Sequence, residues 1–377
     1  MAPAASYSEM GFEWTRRGWL AGVAAAASAA SLPRTAVFSP QPEFYCGWPT
    51  LARRRSGELL VVWSGGREQH VCPFGRVEMM RSCDDGRTWS WPEVLMDSPI
   101  DDRDAGVLET PAGTLLVTTF TSLAYEAVLD KAKDWPADRL RRWQAVQARS
   151  TAEQRRQLLG CWMLRSADGG MTWTAPYRVP VNSPHGPAAL SGGRLLYAGK
   201  QLWEGGRVGV CLSDDDGATW RWAAGIPVRP GDRFEEYHEL HAAETADGRI
   251  LAHIRNHNKS EAGETLQSES PDGGRTWTVP RSIGVWGLPS HLLRLRDGRM
   301  LMTYGYRRAP FGNLARVSRD HGRTWSGPQV ISADGAGGDL GYPSTVELAD
   351  GGLLTVWYER MAASPKAVLR LARWSLG

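Results

Sequence analysis

An eight-residue motif that recurs five times constrains this chain more than any other feature of its sequence. The motif reads Ser-x-Asp-x-Gly-x-Thr-Trp, and each copy lies between two short strand-like runs. Its Asp can accept hydrogen bonds from nearby backbone N–H groups, its Gly can adopt a positive φ, and its Trp can cover the turn. We therefore expect five structural hairpin turns in an all-β protein. The copies begin at Ser82, Ser166, Ser213, Ser270 and Ser318.

A second repeat alternates with the first and consists of a strand, a turn and a further apolar strand. Its six turn glycines recur at about the interval of one β-propeller blade, which is roughly four strands in 40–50 residues. The longest interval accommodates an insertion, and the polar residues 125–159 predict one or two helices there. We predict one six-bladed β-propeller over residues 36–377, closed by an N-terminal strand near residues 36–38, with a helical insertion in the second blade. The turn glycines are Gly57, Gly113, Gly193, Gly248, Gly298 and Gly351.

The N-terminus and the overall composition predict where the protein works. Arg16 and Arg17 precede an Ala-rich, weakly apolar run, so residues 1–32 resemble a twin-arginine export signal. This predicts a periplasmic or secreted bacterial protein, and the run is too short for stable membrane insertion. The 44 basic and 41 acidic residues are too evenly balanced to indicate a nucleic-acid partner. The odd number of cysteines, without any Cys-x-x-Cys pair, indicates neither a zinc site nor a dense disulfide framework and leaves one disulfide possible.

Polar residues gather at one position of the second repeat. Innermost strands of a propeller surround its channel and start at the same end of it. Aspartate, glutamate, tyrosine and several histidines in this one layer indicate a functional site. Nine positions before the turn glycines lie Trp48, Asp104, Pro184, Glu239, Pro289 and Tyr342, and the adjacent positions add Gly47, Asp102, Arg103, His185, His238 and His291.

These motifs resemble those of sialidases over the segment from about Tyr45 to Glu359. The five-copy motif resembles the Asp-box of that family, and Tyr342 lies in a segment similar to the one that holds the sialidase nucleophile. Glu239 and Arg255 lie in a segment similar to the one that holds the partner glutamate and one arginine of a carboxylate-binding triad. The resemblance implies that Tyr342 is the nucleophile, Glu239 its base and Arg255 an anion anchor. It also implies that Glu359 steadies the first arginine of the triad.

The chain also departs from the sialidase pattern. The first triad arginine is replaced by Gly47, and the arginines closest to the expected third position are Arg307 and Arg308. The resemblance places the general-acid aspartate in the segment from Arg67 to Arg76, but this segment contains no aspartate. Either His70 or Asp104 is therefore the predicted acid/base. The remaining predicted substrate-binding residues are Arg67, Arg76, Arg103, Trp48, His238, His291 and Arg307, and we predict neither a metal nor a cofactor.

The resemblance implies an exported glycoside hydrolase that removes a terminal acidic or modified sugar from a glycan. Two alternatives remain open at this stage. One is a lyase or another glycosidase that acts on a uronic acid through His70 and Tyr342. The other is a propeller that binds glycans without catalysis, because a fold does not fix a function.

Overall fold

The computed structural model describes residues 32–377, which form six four-stranded antiparallel sheets. The predicted export signal over residues 1–32 therefore lies outside the described residues, except for its last position. The sheets follow one another along the chain, and each contributes one innermost strand to a central channel. This arrangement confirms the predicted six-bladed β-propeller.

The strands of the first three blades follow β1 (Thr35–Val37) along the chain. They are β2 (Tyr45–Arg53), β3 (Leu59–Arg67), β4 (Arg76–Ser82) and β5 (Glu93–Met96); β6 (Asp101–Glu109), β7 (Leu115–Ser122), β8 (Cys161–Ser166) and β9 (Tyr177–Arg178); and β10 (Ala188–Ala189), β11 (Leu195–Lys200), β12 (Val208–Ser213) and β13 (Arg221–Gly225).

The last three blades are equally regular. Their strands are β14 (Tyr237–Glu244), β15 (Ile250–Asn256), β16 (Glu264–Ser270) and β17 (Arg281–Trp286); β18 (Ser290–Arg294), β19 (Met300–Tyr306), β20 (Gly312–Ser318) and β21 (Gln329–Ser332); and β22 (Leu340–Glu347), β23 (Leu353–Arg360) and β24 (Ala367–Trp374). A single 3-10 turn, Phe234–Glu236, leads into β14.

The ring is closed by pairing the two ends of the described chain. Strand β1 lies antiparallel to β24, with Ala36 opposite Leu371, and so becomes the fourth strand of the sixth blade. This pairing is the closure that the sequence predicts. Because it joins the first strand to the last, opening the ring would break a complete ladder of backbone hydrogen bonds.

The five predicted hairpin turns share one set of hydrogen bonds. In every copy the Asp accepts from the backbone N–H of the Thr, as Asp84 does from Thr88 at 2.9 Å. The indole also donates to the Gly carbonyl in three copies, those of Trp89 (3.1 Å), Trp220 and Trp277. Gly86 has a φ of 81°, and a Cβ at this position would lie 2.8 Å from Leu354 of the sixth blade. The motif residues are therefore structural, and its glycine also allows neighbouring blades to pack closely.

The insertion in the second blade consists of three helices between β7 and β8, whereas the sequence predicted one or two. They are α1 (Ala124–Asp130), α2 (Ala137–Ala148) and α3 (Ala152–Gln157). Pro136 is the N-cap of α2, and Thr151 starts α3 with a capping box that includes Gln154. These two local start signals divide the polar run into separate helices.

Apolar side chains of adjacent blades pack between the sheets. One such cluster joins Leu60 and Val62 of the first blade to Val107 and Val117 of the second. All five cysteines are free, and four of them are buried, so no disulfide forms. None of the helices within residues 32–377 combines the length and apolar character needed to cross a lipid bilayer.

Candidate active site

Five non-glycine residues with a positive φ lie within or just before the innermost strands of five blades. Four of them interrupt the regular pairing of an innermost strand, and a bulge redirects a side chain while twisting the strand. All have a positive φ, which costs energy for residues other than glycine and often marks functional sites. They are Trp48 (φ 55°), Asp104 (φ 50°), His185 (φ 74°), Glu239 (φ 33°) and Tyr342 (φ 53°).

These five residues agree with the predicted layer in four blades and depart from it in the third and the fifth. In the third blade the sequence register selected Pro184, whereas the structure gives the positive φ to His185. The innermost strand of this blade, β10, is only two residues long, and the positive-φ residue lies one position closer to the turn glycine than in those four blades. In the fifth blade the peptide bond before Pro289 is cis.

Tyr342, Glu239 and Arg255 are in direct contact, although they come from two different blades. The Tyr342 hydroxyl donates to Glu239 Oε1 at 2.5 Å. Arg255 Nη1 donates to Glu239 Oε2 at 2.5 Å and to the Tyr342 hydroxyl at 3.1 Å. The structure thus brings together the three residues that the resemblance selected.

The protonation states of this group suit a nucleophile with its base. Burial alone raises the pKa of Glu239, but the Arg255 charge and the Tyr342 hydrogen bond outweigh it and lower the pKa to about 2. Burial, together with the charge of Glu239, raises the pKa of Tyr342 well above its ordinary value of 10.0. At neutral pH a neutral phenol therefore faces an ionised carboxylate that can accept its proton.

A second arginine approaches Tyr342 from the fifth blade. The Arg307 guanidinium carbon lies 5.8 Å from the centre of the Tyr342 ring, and its Nε donates to the carbonyl of Leu340 at 3.0 Å. No carboxylate of the described residues forms an ion pair with Arg307. Arg255 and Arg307 therefore place two guanidinium groups around Tyr342.

The first arginine of the sialidase triad has no counterpart. A side chain at Gly47 would meet the ring of Tyr45, whose carbon atom lies 3.1 Å from the Cβ position. Glu359, which the resemblance assigned to steady that arginine, instead accepts from Arg370 at 2.5 Å and Trp357 at 2.9 Å inside the sixth blade. Glu359 therefore pairs with Arg370 in place of the triad arginine that the resemblance implied.

Trp48 occupies the wall next to the missing arginine. Its ring is buried, and the guanidinium carbons of Arg67 and Arg103 lie 4.9 and 4.5 Å from its centre. The Nε atom of Arg103 is buried without a hydrogen-bond partner, so this guanidinium retains donor capacity. The Trp48 ring centre lies 6.4 Å from that of Tyr342, which places the tryptophan at the site as predicted.

Two predicted substrate-binding arginines pair with acidic side chains of the protein. Arg67 is fully buried, and its two terminal nitrogens donate to Asp101 at 2.6 and 2.9 Å. Its remaining donors meet protein oxygens, including the carbonyl of His70 at 2.8 Å. Arg76 pairs with Glu78 on its own strand at 2.6 Å. Arg67 is therefore corrected to a structural residue, because protein oxygens already occupy all of its donors. Arg76 is partly exposed beside Glu78 and remains a predicted substrate-binding residue.

Asp104 is a buried carboxyl group in the bulge of the second blade. One of its oxygens, Oδ1, is buried without a hydrogen-bond partner. Burial, together with the charge of Glu239, raises its pKa to about 7 although Arg103 acts in the opposite direction. A carboxyl group with this pKa is partly protonated at neutral pH and can donate a proton.

His70 lies at the channel mouth, where its side chain is 48% exposed. Its Nδ1 is 3.0 Å from the Tyr45 hydroxyl and 3.2 Å from Asp339 Oδ1, and Asp339 also accepts from Tyr358 at 3.2 Å. Desolvation lowers the pKa of His70, against the opposite effect of Asp339. Sequence reasoning missed Tyr45, Asp339 and Tyr358 as neighbours of the site, because none occupies the repeated register.

The helical insertion packs against the loop that carries His70. Glu68 accepts hydrogen bonds from Arg139 at 3.0 Å, from Arg142 at 2.6 Å and from the Trp143 indole at 3.0 Å. The insertion therefore holds the loop that carries His70 in place.

The predicted residues His291 and His238 belong to two different groups of histidines. The His291 ring stacks on His241 with a centre distance of 4.6 Å, and both lie near His185. Burial lowers the pKa of all three, so they are neutral and add no positive charge to the channel. His238 lies instead beside His257, with ring centres 4.7 Å apart.

Comparison with known proteins identifies the family. A family model described as "BNR repeat-like domain" matches residues 131–356, which is more than half of the chain. The chain therefore belongs to the BNR repeat-like domain family. With its fold and its motifs, this places it among the BNR β-propellers of the sialidase superfamily.

Individual relatives are distant. A sialidase from Bacteroides fragilis is 24% identical over 356 residues, covering 84% of this chain and 60% of the relative. A xyloglucanase from a Paenibacillus species is 27% identical over 206 residues, covering 48% of this chain and 19% of the relative. This chain thus spans less than two thirds of either relative. Among solved structures, a mutant of the NanB sialidase from Streptococcus pneumoniae superposes with a TM-score of 0.65 at 16% identity, over 91% of this chain and 70% of that one.

Proposed function

We propose that the protein is an exported, exo-acting glycoside hydrolase that releases a terminal acidic sugar from a glycan. The observation that carries this proposal is the contact of Tyr342, Glu239 and Arg255 at the channel. The propeller fold and the similarity to a protein named sialidase support it.

In the first step, the Tyr342 hydroxyl oxygen attacks the anomeric carbon while Glu239 accepts the phenolic proton. The bond from the anomeric carbon to the leaving oxygen breaks, and Asp104 protonates that oxygen. In the second step, water attacks the same carbon, Asp104 accepts a proton from the water, and Glu239 returns its proton to the departing Tyr342 oxygen. Such a double displacement retains the anomeric configuration.

The choice of a tyrosine fits an acidic substrate. A sugar whose anomeric carbon carries a carboxylate would repel a carboxylate nucleophile, whereas a neutral phenol approaches without this repulsion. Arg255 and Arg307 are placed to bind the substrate carboxylate, and Arg103 on Trp48 offers a further donor. Because two arginines flank Tyr342 instead of three, we expect the site to bind the sugar carboxylate less tightly than a full triad would.

Between the two predicted acid/base residues, we assign proton donation to Asp104. Its pKa of about 7 keeps a substantial fraction protonated at neutral pH. The lowered pKa of His70 leaves its imidazole mostly neutral there. His70 also contacts Tyr45 and Asp339, which gives it a role in shaping the mouth of the channel.

The test measures release of a fluorogenic aryl sialoside by the purified protein and by Tyr342→Phe. We expect activity in the wild type and none in Tyr342→Phe. Tyr177→Phe is the matched control, because it removes a phenolic hydroxyl group from the outer strand β9 and should leave activity unchanged. Full activity of Tyr342→Phe would refute the mechanism.

Further measurements distinguish hydrolysis from the two alternative functions and test the export of the protein. Unsaturated products from an acidic polysaccharide would indicate the lyase, and glycan binding without product release would indicate the non-catalytic propeller. For export, replacing Arg16 and Arg17 by lysine should retain the protein in the bacterial cytoplasm, as cell fractionation would show. Unchanged export of this variant would refute the twin-arginine route.

A further inference from the structure

A cluster of polar side chains adjoins the catalytic group on the far side of Arg255. Arg255 Nη1 contacts Glu239 and Tyr342, whereas its Nε donates to His257 Nε2 at 2.7 Å. One guanidinium group therefore connects two sets of side chains. We propose that Lys200, His238, His257 and Glu236 form a second carbohydrate subsite, which binds hydroxyl groups of a sugar next to the one at Tyr342. This inference rests on a glycan being the ligand, as the proposed function states.

The hydrogen-bond donors around the two histidines determine which of their nitrogens carry hydrogen. His257 Nε2 faces the donating Nε of Arg255, and His238 Nδ1 lies 3.4 Å from the ammonium of Lys200. Both facing nitrogens must accept, so the hydrogen of each neutral ring lies on its other nitrogen. Desolvation and the neighbouring cations lower the pKa of His238 to about 3 and that of His257 to about 4, so both rings are neutral at working pH. Each imidazole therefore has one N–H available to a ligand.

These tautomers argue against a metal ion, although the distances alone would permit one. A ligand atom from each of Glu236, His238 and His257 lies within 4.8 Å of the others. A metal-bound histidine normally donates its second N–H to an acceptor, whereas here those second positions face Lys200 and Arg255, which are donors. A divalent cation would also be repelled by these two positive charges.

Lys200 is the buried residue whose partners are incomplete. It is 8% exposed, and its ammonium donates to the carbonyl of Glu235 at 2.6 Å. Within residues 32–377, no carboxylate lies within ion-pair distance of its Nζ. Burying an ammonium without a counter-ion is costly, and a ligand oxygen would supply an acceptor. The cost is consistent with a residue kept for binding.

The mixture of donors and acceptor favours hydroxyl groups over a second acidic group. Lys200, His238 and His257 donate, whereas the nearby Glu236 carboxylate can only accept. A hydroxyl group both donates and accepts, so neighbouring hydroxyls on one sugar ring can use both kinds of partner. An anionic substituent would be repelled by Glu236.

An exposed aromatic side chain follows Lys200 along the chain. Trp203 is 46% exposed, in the loop that begins directly after β11. The same loop packs against Lys200, because a Cβ on Gly206 would lie 3.8 Å from the Lys200 Cε atom. An indole face suits the apolar face of a sugar ring, so Trp203 offers a stacking surface in the loop that follows Lys200.

The test compares binding by the otherwise wild-type protein, Lys200→Met and His257→Ala, all carrying Tyr342→Phe so that bound glycans are not cleaved, on an array of glycans with terminal acidic sugars. We expect both variants to lose at least tenfold in apparent affinity, while Lys259→Met, an exposed lysine nearby, binds as the wild type does. We also expect Lys200→Met to unfold at the same or a higher temperature, because it removes a buried unpaired charge. A fall in binding without loss of thermal stability separates a binding role from a structural one.

Each outcome has a defined meaning. Unchanged binding by both variants would overturn the subsite, as would the absence of any bound glycan for the wild type. Zn²⁺ binding by the wild type in calorimetry, lost in His257→Ala, would also overturn it in favour of a metal site. Glycan binding that depends on Lys200, without turnover of any glycan, would refute only the proposed hydrolysis.

Discussion

Replacing Glu239 by Gln tests whether this carboxylate is the base for Tyr342. The substitution keeps an oxygen that can accept from the phenol, but it removes the negative charge 2.5 Å away. Tyrosine has an ordinary pKa of about 10, so only about one phenol in 10³ is ionised at pH 7 without a base. Burial keeps the pKa of Tyr342 above this ordinary value even without the Glu239 charge, so we expect kcat/KM at pH 7 to fall at least about 10³-fold, which is about 4 kcal/mol and typical of a lost general base.

The pH dependence makes this prediction specific. Without Glu239 the phenolate must form by loss of its proton to solvent, so the residual activity should rise about tenfold per pH unit between pH 7 and 9. The assay uses an aryl glycoside, because a good leaving group needs no proton from Asp104. Glu78→Gln is the matched control, since Glu78 is a buried carboxyl group that pairs with Arg76 in the first blade. Activity within tenfold of the wild type, or a flat pH profile, would refute the role of Glu239.

Two further predictions concern Asp104 and Arg255. Asp104→Asn should lower kcat/KM about 10²-fold or more for a glycan but much less for an aryl glycoside. The decline of wild-type activity above pH 7 should disappear in this variant. Equal losses on both substrates would contradict proton donation by Asp104. Arg255→Ala should lower the free energy of unfolding by about 3–5 kcal/mol in urea titrations, because it leaves Glu239 buried and unpaired. The folded-state pKa of Glu239 is depressed, so its contribution to stability is present above its ordinary pKa of 4.5 and is lost as the pH falls towards 2. The free energy of unfolding of Arg255→Ala should lack this decline. A dependence of unfolding free energy on pH that matches the wild type would contradict the ion pair.

The repeats made most of the fold predictable from sequence. Each hairpin motif contains its own turn chemistry, and the spacing of the turn glycines gives the number of blades. The same register located Tyr342 and Glu239, because an identical position in each blade faces the same channel. It failed by one residue at His185, in the blade whose innermost strand β10 is only two residues long.

The remaining parts of the site depend on contacts between distant segments, which no local pattern records. Asp339 precedes its strand and meets His70 across the junction of the first and sixth blades. Lys200 ends a second strand and His257 follows one, whereas the register selects residues near the start of first strands, so it did not select them. Arg67 looked available in the sequence because its buried partner Asp101 lies 34 residues away.

The most direct test of the central claim is to identify the residue that becomes covalently attached to the sugar. The 2,3-difluoro analogue of the sugar that the protein releases would be incubated with the wild type, and the quenched protein would be digested and mapped by mass spectrometry. We predict one adduct, carried by Tyr342 and absent from Tyr342→Phe. An adduct on any other residue, or turnover of the analogue without any adduct, would contradict the assignment of Tyr342 as the nucleophile.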